Sequence, residues 1–446
     1  MLLFCCCKLR AFLFNLIFGR DVGPGLDNVA MNKIAVKGLF LALFIPLCSL
    51  AVAFARDGSV QKEMLDRFVR YASIDSQSSV DSICTFGQHV MASAILEDIN
   101  HEIAAYHVKG VTACMSPENY VYVRIPATGK HKSSPSLGIS CHLDVTPEAT
   151  GGVIKPVVDM KDGHTIVRTD GSTLLGADDK CGCTIAMQLI HLLLSDKKIG
   201  HGEVMFVFCP NEDVGRAADA IDVSLFNPDI LFDLDGPGGD CVTKSNFTAR
   251  GYDVKFIGRE AHPSEAKSQG LGDATAAAST YIAFFPVGVR PENTEGLQGY
   301  IHPWSFEKRG ADVTVQTRVR YFDPKEGEYF DSLLRAAVDK VRRDFPNVGV
   351  EILYDGLQYE NIAYTLHPKA MELVENAARN IGVDVVFADE RGGTTASMFA
   401  AKGIKGGMCV FTGQHNIHST REYADLQEME DAYRLMVEII KGVAKL

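Results

Sequence analysis

Residues 204–213 read V-M-F-V-F-C-P-N-E-D, a continuous apolar run that ends in two carboxylates. Similar short apolar runs occur elsewhere, and segments with a helical spacing of apolar residues lie between them. The runs are 137–140, 204–209, 230–234 and 407–411, and the helical segments are about 180–194, 368–381 and 426–443. Apolar strands that alternate with helices are typical of a parallel sheet covered on both faces. The sequence therefore predicts an α/β fold with a mostly parallel sheet.

The pattern changes between residue 248 and about residue 356. This segment predicts strands at 252–257, 299–304, 313–321 and 348–354, and helices at 273–285 and 328–345. The order β-α-β-β-α-β is that of the ferredoxin-like unit. We therefore expect a smaller α+β domain over 248–359, inserted between two parts of the first domain, 56–247 and 360–446.

The N-terminal segment carries a possible processing signal. Residues 31–55 combine a basic start, an apolar middle and an A-x-A site, which are the parts of a secretory signal peptide. This pattern predicts cleavage after Ala55 and export to the periplasm or the medium. An uncleaved membrane anchor is the alternative, since the apolar run approaches the length that spans a bilayer. Residues 1–30 form an extension of uncertain role, and Met31 is an alternative start.

The charge balance excludes one class of partner. The chain has a formal net charge of −12 and a pI near 5.6. It offers no basic stripe for a phosphate backbone, so nucleic acid is a poor candidate. Small substrates and metal cations fit this balance better, and an oligomer is compatible with it.

Acidic or histidine residues follow the apolar runs and one glycine turn. Ligands bind beyond the carboxyl ends of the strands in an open α/β sheet, so these side chains should converge. Taken singly, each has a structural alternative as a helix cap, a turn residue or a loop histidine. Together they supply imidazoles and carboxylates, which suit zinc, cobalt or manganese. The residues are His142, Asp144, Asp178, Asp179, Glu212, Asp213, Asp233, Asp235, His415, His418 and Glu422.

Four further motifs add a family resemblance. They are T-L-L-G-A-D-D-K (173–180), H-P-S-E-A-K (262–267), E-R-G-G-T (390–394) and F-T-G-Q-H-N-I-H (411–418). From about residue 64 onward the chain resembles the peptidase T family of two-zinc exopeptidases, and more loosely carboxypeptidase G and the aminoacylases. The resemblance implies a zinc-exopeptidase catalytic domain with the inserted domain as a lid.

The resemblance also implies a ligand set for two Zn2+ ions, with Co2+ or Mn2+ as alternatives. His142, Asp178 and Asp235 would hold one ion. Asp178 would bridge to a second ion, held by Asp213 and His418.

Two further carboxylates have expected catalytic roles. Asp144 would orient His142, as carboxylates commonly do for metal-bound histidines. Glu212 is the expected general base, because a carboxylate beside an activated water can accept its proton and pass it to the leaving amine. Neighbouring Asp213 would serve as the ligand, so the adjacent pair divides the two tasks.

Three positions are expected to bind substrate. His262, in the inserted domain, would reach the oxyanion when the domains close, as the resemblance implies. Arg320 and Arg391 could clamp a peptide carboxylate by paired hydrogen bonds. A loop histidine and surface salt bridges are the structural alternatives.

The chain departs from the family pattern at several positions. Thr395 stands where the family usually has aspartate after R-G-G-T. Glu212-Asp213 replaces a pair of glutamates, and His415 and Ile417 replace tyrosines. The loss of the aspartate affects the expected substrate more than the metal site.

The predicted function is hydrolysis of the N-terminal peptide bond of short peptides, with tripeptides as the expected substrate. Another amide hydrolase, such as a dipeptidase, carboxypeptidase or deacylase, is the alternative. A non-catalytic exported protein that binds peptides or metal is the alternative from another class. The resemblance implies a cytoplasmic enzyme, whereas the N-terminal segment predicts export. We expect an exported protein, which would contact the membrane only if this segment is not cleaved.

Overall fold

A computed structural model describes residues 58–446, so the predictions for the extension 1–30 and the signal segment 31–55 lie outside the described residues. Within the described range, every helix is too short or too polar to cross a lipid bilayer.

Strands and helices alternate along most of this range. The strands are β1 (Thr112–Met115), β2 (Val121–Ile125), β3 (Leu137–His142), β4 (Val157–Lys161), β5 (His164–Arg168), β6 (Val204–Cys209), β7 (Ile230–Pro237), β8 (Cys241–Asn246), β9 (Thr248–Ile257), β10 (Tyr300–Arg309), β11 (Asp312–Tyr321), β12 (Gly349–Tyr359), β13 (Val386–Glu390), β14 (Gly407–His415) and β15 (Tyr423–Asp425). The helices are α1 (Gly58–Ala72), α2 (Phe86–Tyr106), α3 (Ala177–Ser195), α4 (Ala266–Gln269), α5 (Ala274–Phe284), α6 (Pro324–Asp344), α7 (Ala370–Ile381), α8 (Thr395–Ala400) and α9 (Leu426–Val443).

The larger sheet has a parallel centre. Its strand order is β1-β2-β6-β3-β7-β14-β15-β5-β4; β8 also pairs with β14, and β13 pairs with β8. Strands β6, β3, β7 and β14 are parallel, whereas the strands at both margins pair antiparallel. The predicted α/β class with a mostly parallel central sheet is therefore confirmed.

The central strands are buried on both faces. Strand β6 shows this directly, because Phe206 and Phe208 pack into one core cluster while Met205 and Val207 pack into another. Alternate side chains of a strand point to opposite faces, so one apolar run contributes to two cores. This double burial explains the continuous apolar pattern of 204–209.

The second sheet is antiparallel, with the order β10-β11-β9-β12. Helices α5 and α6 pack on it and share a separate apolar core. Helix α6 starts where the Asp323 carboxylate accepts the backbone N–H of Lys325 and Pro324 takes the first helical position. The element order agrees with the β-α-β-β-α-β pattern, while the status of 248–359 as a separate lid domain stays a prediction.

One strand is longer than its apolar pattern. The predicted strand 407–411 continues as β14 to His415, because Gln414 and His415 pair with Ala424 and Tyr423 of β15. His415 therefore lies within the strand rather than beyond it. The margin strands, helix α2 and the short strand β13 have weaker patterns and were not predicted.

The parallel centre directs several strand ends to one edge of the sheet. His142 is the last residue of β3, and Asp235 lies near the end of β7. Glu212 and Asp213 follow β6, and His418 follows β14. Their convergence at this edge follows from the strand directions.

Candidate metal centre

Three side chains meet at the end of β3. His142 Nε2 lies 2.9 Å from Asp178 Oδ1 and 3.5 Å from Asp235 Oδ1. One ligand atom from each of the three lies within 4.8 Å of the others. Asp178 reaches this position from the start of α3, where it and Asp179 have non-helical backbone angles and share a cis peptide bond.

A second group shares Asp178 with the first. His418 Nε2 lies 2.9 Å from Asp213 Oδ1 and 3.3 Å from Asp178 Oδ2. These three residues also offer ligand atoms within 4.8 Å of one another. Asp178 therefore turns one carboxylate oxygen toward each group, which is the arrangement of a bridging ligand.

The electrostatics of both groups suit a divalent cation. Burial raises the pKa of Asp213 to about 7 and that of Asp235 to about 6, and the charge of Asp178 adds to both shifts. Burial also acts against ionised Asp178, but hydrogen bonds from His142 and His418 keep its pKa below the usual value. Hydrogen bonds to Asp178 and Asp213 raise the pKa of His418 to about 11. Crowded buried carboxylates are stabilised by positive charge, which a bound metal ion supplies.

One oxygen of Asp213 is buried and lacks a hydrogen-bond partner within the described chain. Asp213 Oδ2 is buried and accepts no hydrogen bond there, although such an orphan acceptor is costly. A metal ion at this position would satisfy it. The donor set of two imidazoles and three carboxylates therefore fits a divalent metal site.

Glu212 lies beside both groups. It lines the same cavity as Asp178 and Asp213, and its carboxylate lies within 4.8 Å of ligand atoms of His142 and Asp213. Burial raises its pKa well above the usual value, and the charges of Asp235 and Asp213 add to this effect. A carboxylate with a raised pKa is suited to accept and return a proton.

Asp144 connects this glutamate to the histidine. Its carboxylate is buried and lies 3.4 Å from His142 Nδ1. The same carboxylate accepts the backbone N–H groups of Glu212 at 3.0 Å and Asp213 at 3.2 Å. Asp144 thus positions the histidine and the loop after β6 together.

Two supporting residues had no predicted role. Buried Glu422 accepts backbone N–H groups of Gly176 and Asp178, at 2.7 and 3.0 Å, and so holds the turn that presents Asp178. Asp179 accepts the backbone N–H groups of His142 and Gly182, both at 3.0 Å. Both residues were among the acids expected to converge, but nothing in the sequence indicated that they would hold backbone N–H groups.

The cavity at the centre has a volume of about 390 Å³. Thr395 is fully buried behind it, with its hydroxyl oxygen 3.8 Å from Cys209 Sγ. The next backbone N–H, of Ala396, donates to buried Asp233 at 3.0 Å. The family's usual aspartate at position 395 would therefore stand near a second buried carboxylate. The cavity is lined by Asp178, Glu212, Asp213, Asp235, Pro237, Thr243, Glu390, Gly393, Thr394, Cys409, Gln414, Ile417 and His418.

The structure does not bring His262 and Arg320 into this cavity. His262 is exposed, with its ring Nδ1 2.7 Å from Ser264 Oγ. Arg320 is buried, and its guanidinium donates to the carbonyl oxygen of Val319 at 3.0 Å. Arg320 borders a neighbouring cavity, and Gly393 lines both cavities.

Arg391 does not line this cavity either. Its guanidinium donates to the carbonyl oxygens of Gly296 and Gln298, at 2.7 and 3.1 Å, and to Thr294 Oγ1 at 3.0 Å. These bonds tie the end of β13 to the segment before β10. The substrate-binding roles of His262, Arg320 and Arg391 stay predictions.

Comparison with known proteins identifies the family. A sequence model described as Peptidase family M20/M25/M40 matches residues 138–442, which is more than half of the chain. The chain belongs to this family. Its membership confirms the prediction of a metallopeptidase.

Similar proteins agree with this membership. Peptidase T of Geobacillus sp. (strain WCH70) is 29% identical over 415 residues, covering 86% of this chain and 98% of the relative. Peptidase T of Bacillus thuringiensis subsp. konkukian (strain 97-27) is 28% identical over 414 residues, with the same two coverages. The resemblance to the peptidase T family is therefore confirmed.

Solved structures share the fold. Aminopeptidase PepT from Bacillus cereus ATCC 10987 superposes with a TM-score of 0.68 at 21% identity, covering 86% of this chain and 99% of that one. A dinuclear metal-binding peptidase of the M20 family from Bacillus subtilis gives a TM-score of 0.60 at 13% identity, covering 87% and 99%. At these identities the likeness shows the fold alone.

The relatives contradict the predicted export. They are peptidase T proteins, for which the resemblance implied a cytoplasmic location, and they give the signal-peptide prediction no support. A basic start, an apolar run and small residues are common features, so the pattern at 31–55 is weak on its own. The cytoplasmic alternative is consistent with the relatives.

Proposed function

We propose that this chain removes the N-terminal residue from short peptides, with tripeptides as the preferred substrates, using two divalent metal ions. The observation that carries the proposal is the pair of ligand groups that share Asp178, with Glu212 beside them. The peptidase T relatives supply the choice of tripeptides.

The geometry of the two groups supports the proposed ligand assignment. His142, Asp178 and Asp235 would hold one ion, and Asp178, Asp213 and His418 the other. Zinc is the first choice, because histidine and carboxylate ligands in an open site are typical of catalytic zinc. When bound, such a metal pair polarises a carbonyl group and lowers the pKa of a water molecule.

Glu212 would act as the general base. It accepts a proton from the attacking water and later donates it to the leaving amine, so it ends the reaction unchanged. Asp213 cannot easily share this task, since its Oδ1 faces His418. Asp144 would hold His142 and the Glu212 backbone in position through Oδ1, while its Oδ2 accepts the backbone N–H of Asp213.

The substrate would extend from this cavity toward Arg320. Gly393 borders both cavities, so a short peptide could span them. Arg320 would receive the terminal carboxylate after reorienting its guanidinium. His262 is exposed in the inserted segment, and we propose that it approaches the scissile carbonyl when this lid closes.

Blocking one substrate terminus at a time tests the reaction type. A tripeptide, its N-acetyl derivative and its C-terminal amide would be compared by kcat/KM with the same purified chain. We expect hydrolysis of the free tripeptide and loss of at least about 100-fold on acetylation, because an aminopeptidase requires the free amine. Faster cleavage of the acetylated peptide would instead indicate a deacylase or carboxypeptidase. Tight binding without turnover of any of the three would indicate a binding protein.

A further inference from the structure

A second cluster of side chains that could ligate a metal lies on the side of β14 where β15 and β5 follow in the sheet. His164, Asp425 and Glu428 each offer one ligand atom within 4.8 Å of the others. His164 opens β5, Asp425 closes β15, and Glu428 is in the first turn of α9. None of the three belongs to the candidate metal centre.

The contacts between histidines and carboxylates in this cluster are short. His164 Nδ1 lies 2.7 Å from Asp425 Oδ2, and His415 Nε2 lies 2.7 Å from Glu428 Oε2. The side chain of Asp425 is 8% exposed and that of Glu428 is 20% exposed, whereas that of His164 is 44% exposed. The cluster is therefore partly sheltered but open to solvent on the histidine side.

The backbone holds the carboxylates in place. Asp425 Oδ1 accepts the backbone N–H groups of Gln427 and Glu428 and caps α9, which leaves Oδ2 directed at His164. The backbone N–H of Thr165 donates to Gln427 Oε1 at 2.9 Å, which joins β5 to the helix start. These bonds hold the end of β15 and the start of β5 against α9 without any ion.

A glycine makes room for the second histidine. A Cβ at Gly238 would lie 2.3 Å from His415 Cε1 and 2.8 Å from Glu428 Oε2. The His415 ring also stacks on Tyr423, with ring centres 4.6 Å apart. The backbone N–H of Gly239 donates to Glu428 Oε2 at 2.7 Å. The position of Glu428 is thus set from two sides.

We propose that His164, Asp425 and Glu428 form a third divalent-cation site, of the zinc class, with His415 orienting Glu428. In a tetrahedral zinc site with bonds of about 2.0–2.1 Å, ligand atoms lie roughly 3.3–3.4 Å apart, so the observed His164–Asp425 contact needs to open only slightly. One imidazole and two carboxylates leave a fourth position for water. A hydrogen bond from His415 to a ligating carboxylate is the usual second partner in such sites.

The site would join β5, β15 and α9 next to the loop that carries His418. His415 ends β14 only three residues before His418, and its partner Glu428 lies in α9. A bound ion would add a link from α9 to β5. Its expected role is to stabilise this margin rather than to take part in hydrolysis.

Metal counting tests the proposal. The full chain would be stripped with a chelator, equilibrated with buffered Zn2+, freed of excess metal by gel filtration and subjected to elemental analysis. We expect wild type to retain one more ion per chain than His164→Ala or Glu428→Gln. His101→Ala, an exposed histidine on α2, is the matched control and should retain the wild-type count.

Two readouts separate this site from the metal centre. His164→Ala should keep its tripeptide hydrolysis, if that activity is present, and should lose part of the zinc-dependent rise in unfolding temperature. Glu428→Gln keeps the side chain's size and guards against a folding defect in the histidine variant. Equal metal content in wild type and both variants would overturn the proposal and would mean that the cluster holds only two histidine–carboxylate contacts.

Discussion

Glu212 and Asp213 are adjacent but have different surroundings. Asp213 points Oδ1 at His418 and has a second, buried oxygen without a hydrogen bond in the described chain. Glu212 lines the open cavity. The backbone N–H groups of both donate to Asp144, so one buried carboxylate fixes the relative placement of a ligand and a base.

The variant Glu212→Gln tests this division of roles. Glutamine keeps the size and hydrogen-bonding reach of the side chain but cannot accept a proton near neutral pH. We expect kcat to fall by ~100-fold or more, with metal content and substrate affinity near wild type. Steady-state kinetics together with elemental analysis measures both quantities.

Asp213→Asn is the matched comparison. It changes a neighbouring carboxylate in the same way, yet we expect it to weaken metal retention, because Asp213 is a proposed ligand. If Asp213→Asn kept its metal and lost turnover while Glu212→Gln lost its metal, the two roles would be exchanged. Near-normal turnover in metal-loaded Glu212→Gln would remove Glu212 from the mechanism.

Local sequence was informative about residues at strand ends. His142, Asp213 and Asp235 each follow or close an apolar run, so their convergence could be predicted from the direction of parallel strands. Glu422 was expected near the site, but its contact with the turn at Gly176 could not be predicted, because the two are far apart in sequence. The same holds for His164, whose partner Asp425 becomes its neighbour only when β5 and β15 pair.

At the scale of elements, the start of α3 packs directly against β7. A Cβ at Gly182 would lie 2.0 Å from the carbonyl oxygen of Leu234 and 2.4 Å from Asp179 Oδ1. Only glycine permits this approach, which places the helix and its preceding turn against the strand that carries Asp235. The metal centre therefore depends on close packing between a helix and a strand.

Gly182→Ala should disturb this contact. We expect a loss of about 1–3 kcal/mol in the free energy of unfolding, typical of overpacking, because backbone on one side must shift. Metal affinity should fall as well. Urea denaturation measures the first effect, and Gly288→Ala is the control, since a Cβ there meets nothing within 4 Å. Equal stability of the two variants would contradict the packing argument.

Strongly patterned elements were predictable, and weakly patterned ones were not. The predicted segments 204–209 and 426–443 coincide with β6 and α9, because the first is a continuous apolar run and the second has apolar residues at helical spacing that face the core. Strand β4 is largely exposed along its five residues and has no such pattern. Its pairing with β5 at the margin of the sheet depends on backbone hydrogen bonds, which sequence pattern does not reveal.

At the scale of the whole molecule, the two sheets have separate apolar cores, and the candidate site lies at the edge of the larger sheet. The larger sheet, its loops and helix α3 supply both ligand groups and Glu212. Arg320 on β11 and His262 after β9 lie outside the cavity at this site, and their contact with substrate stays a prediction. The predicted α/β class and family were confirmed, but the predicted export was wrong. The cellular location of a protein depends on whether an N-terminal segment is recognised for export and not on its fold. The apolar pattern of the folded part therefore carried no information about location.

Removal and restoration of metal tests the central claim most directly. Tripeptide hydrolysis by the purified chain would be measured before chelation, after exhaustive chelation, and during stepwise return of Zn2+. We predict loss of activity without unfolding, followed by recovery that requires the ligands of both groups, so that Asp178→Asn does not recover. Undiminished hydrolysis by the metal-free chain, shown by elemental analysis to hold no metal, would contradict this account.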